Sequence, residues 1–167
     1  MKLIIQIPCK NEEENLPKVL KELPTHIDGI DVIEYQVIDD GSTDNTSKVA
    51  KDFWVHHIIR FHKNRWLGFG FKAWVENALQ NGADILVNTD ADNQYPSKYI
   101  KDLVQPILEK KADIVNGNRK PTEIEHFKWY KKYLQWLWNH VLSFVVNEKL
   151  PDSVSWFRAY SRESLFE

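Results

Sequence analysis

Two aspartates and an amide side chain follow an apolar run near the middle of the chain, in the segment ILVNTDADNQ. Asp90 and Asp92 are two residues apart, and Gln94 comes two residues later. Oxygen atoms that converge in this way suit a hard divalent cation, Mg²⁺ or Mn²⁺, which can bridge phosphate groups. A turn whose acids precede the next helix, with Pro96 near its first turn, explains the same residues without a ligand. The D-x-D spacing alone leaves both interpretations open.

A second acidic cluster, DDGSTD at residues 39–44, follows an earlier apolar run. Ser42, Thr43 and Asp44 in this cluster are ordinary N-cap residues for a following helix. Asp39 and Asp40 exceed what a cap requires. Their carboxylates could accept hydrogen bonds from a nucleobase and from ribose hydroxyls.

Two arginines, Arg119 and Arg158, follow later apolar runs, and either could bind a phosphate through a bidentate guanidinium. A solvated surface arginine is the alternative for each. The six histidines show no metal-ligand spacing, and Cys9 has no base beside it and is expected in the core.

Short apolar runs alternate with helical patterns along the whole chain. Strands are predicted at 3–8, 34–39, 56–61, 84–90, 112–117 and 154–160, and helices at 11–23, 43–53, 69–81, 97–111 and 124–146. Glu12, Glu13 and Glu14 are expected in the first turn of the first helix. The alternation predicts an α/β fold with a mostly parallel sheet flanked by helices, in a single domain. In such sheets ligands bind beyond the carboxyl ends of the strands, where the acidic clusters fall.

Composition limits the class of protein. The 167 residues suffice for one domain with a sizeable core. Lys and Arg total 22 against 24 Asp and Glu, which gives no field that favours nucleic acid, so we expect no nucleic-acid partner. The single cysteine fits a reducing compartment. No signal-peptide pattern and no run of 18 apolar residues is present, so the expected location is cytoplasmic.

The chain resembles the family 2 glycosyltransferases, which have the GT-A, Rossmann-like fold. The strings that carry the resemblance are IPCKNEEENLP, VIDDGSTDNT, NRWLGFGFKAW, NTDADNQYP, IVNGNR and DSVSWFRAYSRE, and they span nearly the whole chain in this order. The most similar branch contains the dolichol-phosphate mannosyltransferases and polyprenyl-phosphate glycosyltransferases. The resemblance implies a nucleotide-sugar-binding half over about 1–119 and an acceptor-side segment over about 120–167. Members commonly continue further, so we expect a C-terminally truncated domain.

The resemblance also implies roles for individual residues. It assigns the nucleotide-sugar pocket to Pro8, Asn11, Glu12, Asp39, Asp40, Asp90 and Ala91. It assigns Mg²⁺ or Mn²⁺ to Asp90, Asp92 and Gln94, and the acceptor phosphate to Arg119, Ser155 and Arg158. The implied catalytic residues are Asp92 and Arg119, with Asp152 as the base if the acceptor is a hydroxyl.

The implied reaction is a metal-dependent, inverting hexosyl transfer from a UDP- or GDP-sugar to a polyprenyl phosphate. A sugar hydroxyl of a surface polysaccharide is the alternative acceptor, and an inactive or binding-only nucleotide-sugar module is the alternative of another class. The basic, aromatic segment 124–146 is either an interfacial helix at the cytoplasmic face of the membrane or a helix packed on the sheet.

Five tryptophans stand where members of the family commonly have glycine: Trp54, Trp66, Trp74, Trp138 and Trp156. The chain has 6 glycines and 7 tryptophans, whereas usual glycine usage gives about 12 in this length. Some bacterial lineages read the codon UGA as glycine, and translating that codon as tryptophan produces this pattern. We therefore predict glycine at these positions in the protein as its own cells make it. The alternative is true tryptophan in a diverged enzyme.

Overall fold

The computed structural model describes residues 1–62, 66–118, 141 and 155–166, with the side chains of these residues except 66–70. Its strands are β1 (Lys2–Cys9), β2 (Val32–Asp39), β3 (His57–Arg60), β4 (Ile85–Asn88), β5 (Ile114–Asn116) and β6 (Arg158–Ser161). Its α-helices are α1 (Leu16–Glu22), α2 (Thr46–Asp52), α3 (Trp66–Gln80) and α4 (Ile100–Leu108). Short 3-10 helices occupy Ser97–Tyr99 and Glu163–Leu165.

The strands form one sheet in the order β3-β2-β1-β4-β6-β5. Strands β1 to β4 pair in parallel, and β6 is antiparallel to both β4 and β5. The predicted α/β fold with a mostly parallel sheet is thereby confirmed. From β1 the chain adds β2 and β3 on one side of the sheet and then returns to add β4 on the other side of β1. This reversal creates the crevice in which open α/β sheets bind ligands.

Both faces of the sheet are covered. The odd-numbered residues 3–7 of β1 pack in the larger core with residues of α1, α2 and α4. Ile4 and Leu86 face the other side, where they pack against α3. Because successive side chains of a strand point to opposite faces, Gln6 and Asn88 lie on the α3 face with Ile4 and Leu86. Each fully buried Leu or Ile contributes about 1.5–3 kcal/mol relative to exposure.

The first two helices begin later than the sequence predicts. The helix predicted over 11–23 begins at Leu16, so Glu12, Glu13 and Glu14 lie in the preceding loop and not in its first turn. The helix predicted over 43–53 begins at Thr46. In both cases backbone N–H groups before the helix bond to side chains of the other loop, which replaces a further helical turn.

The last strand also differs from its prediction. The strand predicted at 154–160 is confined to β6, and it runs antiparallel to β4. The helix predicted at 124–146 lies outside the described residues apart from position 141. None of the helices in the described ranges has the length and apolar content that crossing a membrane requires.

Candidate active site

The loops after β1 and β2 are bonded to each other at the carboxyl edge of the sheet. The Asn11 backbone N–H donates to the Ser42 hydroxyl over 2.9 Å, and the Asn11 side-chain oxygen accepts from the Thr43 N–H over 2.8 Å. The Glu12 N–H donates to the Thr46 hydroxyl over 2.8 Å. The two loops therefore form one wall, which includes Asn11 and Glu12, two of the residues predicted to surround a nucleotide.

Asp39 ends β2 and holds this wall from below. Its carboxylate is fully buried and accepts hydrogen bonds from the Ser42 N–H, at 2.7 Å, and from the Ser47 hydroxyl. The Arg60 Nε lies 3.4 Å away, and the Arg60 guanidinium also donates to the Ser42 carbonyl. These partners neutralise and satisfy a charge that burial would otherwise disfavour. The sequence alone does not point to Arg60.

The residues around Asp39 in these loops are less deeply buried than Asp39 itself. Asp40 and Pro8 are half-buried, and the Asp40 N–H donates to the Cys9 carbonyl over 2.9 Å. The Glu12 carboxylate accepts from the Asn15 side chain over 3.0 Å. Cys9 is buried in the core, as expected, and burial raises the pKa of its thiol well above the ordinary value. Asp40 is therefore the more accessible of the two adjacent aspartates.

The acidic loop after β4 carries the paired aspartates. The pKa of Asp90 is raised to about 7, mainly because its carboxyl is buried and then because of the charge and the hydrogen bond of Asp92. The backbone N–H groups of Tyr95 and Gln94 act in the opposite direction, since they favour the ionised form. The Asp90 Oδ1 atom is buried and has no hydrogen-bond partner. Asp92 is exposed, and its Oδ2 accepts from the Gln94 Nε2 over 2.6 Å. Ala91, between the aspartates, is buried.

These residues fit a divalent cation. A buried carboxylate oxygen without a donor, beside a second carboxylate, is a place where a cation would lower the free energy of both charges. Within the described ranges no three His, Cys, Asp or Glu side chains converge on one point. Two carboxylates with the remaining positions filled by phosphate and water are the usual arrangement for Mg²⁺ at phosphate sites. Gln94 contacts Asp92 directly, so it lies where it could join such a site.

The residues predicted near an acceptor phosphate lie at the start of β6. Ser155 is buried, and its hydroxyl accepts from the Phe157 N–H over 3.3 Å. The Arg158 Nε donates to the Ser155 carbonyl over 2.8 Å and to the Asn116 side chain over 3.1 Å. These bonds fix the direction of the guanidinium beside β4. Arg119 and Asp152 lie outside the described residues.

Three buried amide side chains that sequence reasoning missed connect the strands below the site. Gln6, Gln36 and Asn88 are each at most 1% exposed. The strand register places Gln6 opposite both Gln36 and Asn88. In the sequence Gln6 and Gln36 interrupt apolar runs and Asn88 follows one, and that placement is the local signal they leave.

A mostly parallel sheet with an acidic crevice at its switch point is the architecture of an α/β domain of the GT-A type. The model of Glycosyl transferase family 2 matches residues 4–166. The chain therefore belongs to glycosyl transferase family 2, a family of glycosyltransferase enzymes.

Two relatives indicate the branch of this family to which the chain is most similar. The undecaprenyl-phosphate mannosyltransferase of Micrococcus luteus is 29% identical, over 99% of this chain and 68% of that protein. The UDP-N-acetylglucosamine–dolichyl-phosphate N-acetylglucosaminyltransferase of Methanococcus voltae is 30% identical, over 95% of this chain and 69% of that protein. Both names specify a polyprenyl-phosphate acceptor, which confirms the branch that the sequence resembles.

Solved structures confirm the fold. The crystal structure of glucosyl-3-phosphoglycerate synthase from Mycobacterium tuberculosis with Mn²⁺ and UDP-glucose superposes with a TM-score of 0.65 at 22% identity. The match covers 97% of this chain and 56% of that one. The chain thus spans about two thirds of the two curated relatives and little more than half of the solved protein.

Proposed function

We propose that this domain transfers a hexose from a nucleotide sugar to a polyprenyl phosphate with the help of a divalent cation. The observation that carries the proposal is the buried, unpartnered Asp90 Oδ1 beside Asp92, at the switch point of a family 2 fold. The acceptor class is supported by the relatives from Micrococcus luteus and Methanococcus voltae, whose names specify such lipids.

The donor would lie across the carboxyl ends of β1, β2 and β4. Asp40 would orient the base and ribose, and the buried Asp39 would hold the loop that presents Asp40. The interlocked loops of Asn11 and Glu12, together with Pro8 and Ala91, would form the wall of the pocket. Asp90 and Asp92, assisted by Gln94, would hold the cation. When bound, Mg²⁺ or Mn²⁺ neutralises charge on the departing nucleoside diphosphate.

The acceptor would approach from the β6 side. An oxygen of its phosphate attacks C1 of the sugar, the bond between C1 and the diphosphate oxygen breaks, and the configuration at C1 inverts. Ser155 and Arg158, and Arg119 beyond the described residues, would bind that phosphate. A phosphate anion needs no protein base, so Asp152 would be required only for a hydroxyl acceptor.

The segment 124–146 is proposed as a peripheral contact with the cytoplasmic face of the membrane, because the proposed acceptor is a lipid. Flotation with anionic vesicles tests this, and a protein that stays unbound contradicts it.

The proposed function is tested by a thermal-shift screen with UDP- and GDP-sugars, each with and without Mn²⁺. We expect one nucleotide class to raise the melting temperature only when Mn²⁺ is present, and Asp90→Asn to abolish that increase. Asp28→Asn, on the exposed surface, is the matched control and should respond like the parent protein.

Turnover then identifies the acceptor. Release of nucleoside diphosphate with a short-chain polyprenyl phosphate supports the proposal. Release only with a saccharide acceptor assigns the polysaccharide alternative, and binding without turnover assigns the inactive module.

A further inference from the structure

A chain of buried hydrogen bonds crosses the α3 face of the sheet and ends on the acceptor side. Gln36 Nε2 donates to Gln6 Oε1 over 3.0 Å, and Gln6 Nε2 donates to Asn88 Oδ1 over 3.0 Å. Asn88 Nδ2 then donates to the Trp156 carbonyl over 2.9 Å. Because buried amides cost free energy unless they are paired, this chain fixes the orientation of every member.

The backbone of Trp156 is held from its other side as well. Its N–H donates to the Tyr95 hydroxyl over 3.3 Å. The Tyr95 ring is buried and stacks on Phe157, with ring centroids 5.1 Å apart and planes 9° from parallel. Both backbone polar groups of Trp156, its N–H and its carbonyl, thus form hydrogen bonds with side chains in or just after β4.

These two contacts bracket the acidic loop. Asn88 lies two residues before Asp90, and Tyr95 lies one residue after Gln94. The segment they hold runs between Ser155 and Arg158. The loop proposed to carry the cation and the segment proposed to carry the acceptor phosphate are therefore joined at both ends of the loop.

We propose that Tyr95 and Asn88 are positioning residues that transmit the donor-bound position of the acidic loop to the acceptor-binding segment 155–158. This inference rests on the proposed function. It follows because reacting groups must be held to within a fraction of an ångström, and the Trp156 peptide is the shared support of both halves. Neither residue contacts the reacting atoms; each acts through Trp156.

The test uses Tyr95→Phe in the intact protein, since this change keeps the ring stack on Phe157 and removes only the hydroxyl. Tyr99→Phe is the matched control, because Tyr99 lies nearby in sequence and is exposed. Hydrogen–deuterium exchange of the peptide that covers residues 155–161 is measured with and without Mn²⁺ and the nucleoside diphosphate that binds.

We expect Mn²⁺ with nucleoside diphosphate to slow exchange in residues 155–161 of the parent protein and of Tyr99→Phe, but not of Tyr95→Phe. Turnover number with polyprenyl phosphate should fall about three- to tenfold in Tyr95→Phe, the loss expected for one hydrogen bond. The KM for the nucleotide sugar should stay unchanged, and the melting temperature should fall only by the few degrees that one lost hydrogen bond costs.

Equal exchange protection and equal turnover in the two variants would overturn the inference. So would a fall in melting temperature and in nucleotide affinity that parallels the fall in turnover, because that pattern describes a purely structural role. If the exchange protection is present in the parent protein and lost in Tyr95→Phe, but neither protein turns over the lipid phosphate, the proposed acceptor fails while the coupling stands.

Discussion

The backbone N–H of Asn11 lies 2.9 Å from the Ser42 hydroxyl oxygen, and the Asn11 amide oxygen lies 2.8 Å from the Thr43 N–H. These bonds tie the loop after β1 to the loop after β2. Asn11 has φ 57°, a left-handed conformation that asparagine adopts more readily than most residues. One residue thus supplies both the turn and the bonds that set the width of the proposed nucleotide pocket.

Replacing Asn11 separates these two contributions. Asn11→Gly loses the side-chain bond but fits the backbone, whereas Asn11→Ala loses the bond and is strained by about 1–2 kcal/mol. The greater chain entropy of unfolded glycine offsets about 0.4–1 kcal/mol of that difference. We expect Asn11→Ala to be the less stable variant in urea denaturation, and both to bind nucleoside diphosphate more weakly. Equal urea midpoints would show that the turn is not constrained.

The raised pKa of Asp90 predicts how stability depends on pH when divalent cations are absent. The carboxyl has an ordinary pKa of 3.8 and a folded-state pKa of about 7. Between these values the folded state binds the additional proton, so the contribution of Asp90 to stability falls as pH rises from about 4 to 7 and stays low above. Asp90→Asn should therefore be more stable than the parent protein at pH 8, above this window, and should gain little at pH 4, at its lower edge.

Chemical denaturation in EDTA at the two pH values measures this effect. Asp28→Asn, at a fully exposed site, serves as the control for the loss of one carboxylate. A stability difference between Asp90→Asn and the parent that is the same at both pH values would mean that the folded protein does not raise the pKa of Asp90.

The sequence predicts the α/β class and the position of the acidic clusters because these depend on local patterns. The apolar runs that became β1, β2 and β4 are visible in the sequence, and Asp39 and Asp90 follow from where two of those runs end. The predicted starts of α1 and α2 were wrong because the loops before these helices bond to each other. The N–H groups of Glu12 and Glu13 donate to the side chains of Thr46 and Asp44, which are more than 30 residues away in the chain. No local sequence pattern predicts these long-range hydrogen bonds.

The buried amides illustrate the same limit. Gln6 interrupts the apolar run LIIQIP, and Asn88 follows the apolar residues ILV. Only the register, which pairs Gln6 with Asn88, shows that each satisfies the other. Tyr95 likewise gains its role from Trp156, which is 61 residues away in the chain.

Gly117 is required by close packing against Phe157, the residue just before β6. Its N–H donates to the Phe157 carbonyl over 2.7 Å, and a Cβ atom at this position would lie 2.6 Å from Phe157 Cδ1 and 3.0 Å from Phe157 O. Phe157 cannot retreat easily, because its ring stacks on Tyr95. We expect Gly117→Ala to destabilise the protein by about 1–3 kcal/mol, as overpacking does, measured by thermal unfolding.

A double-mutant cycle with Phe157→Leu tests the cause. If the clash with the ring is responsible, Gly117→Ala should cost markedly less in the Phe157→Leu background. An equal cost in both backgrounds would place the strain on the backbone carbonyl instead.

Trp54 occupies a position that favours glycine. After α2, the Trp54 N–H bonds to the Lys51 carbonyl and the Val55 N–H bonds to the Ala50 carbonyl, the pair of bonds that defines a Schellman motif. Trp54 has φ 56° and is 87% exposed, so its ring contributes little burial while its Cβ is strained. Trp54→Gly should raise the free energy of unfolding by about 0.5–1 kcal/mol after the entropy of glycine is counted. Trp54→Ala removes the ring but keeps the Cβ, so it should not.

Trp74 is a second position at which we predict that the cells insert glycine. Trp74 is 1% exposed, and its indole N–H is buried without a partner, a cost of about 1–3 kcal/mol. Removing so large a buried side chain costs about 3–5 kcal/mol, so burial at Trp74 does not argue against tryptophan, whereas the backbone conformation at Trp54 does. Peptide mass spectrometry of the protein isolated from its own cells should find glycine at 54, 74 and 156. Tryptophan at these positions, encoded by UGG, would instead make the strain at Trp54 a property of the native enzyme.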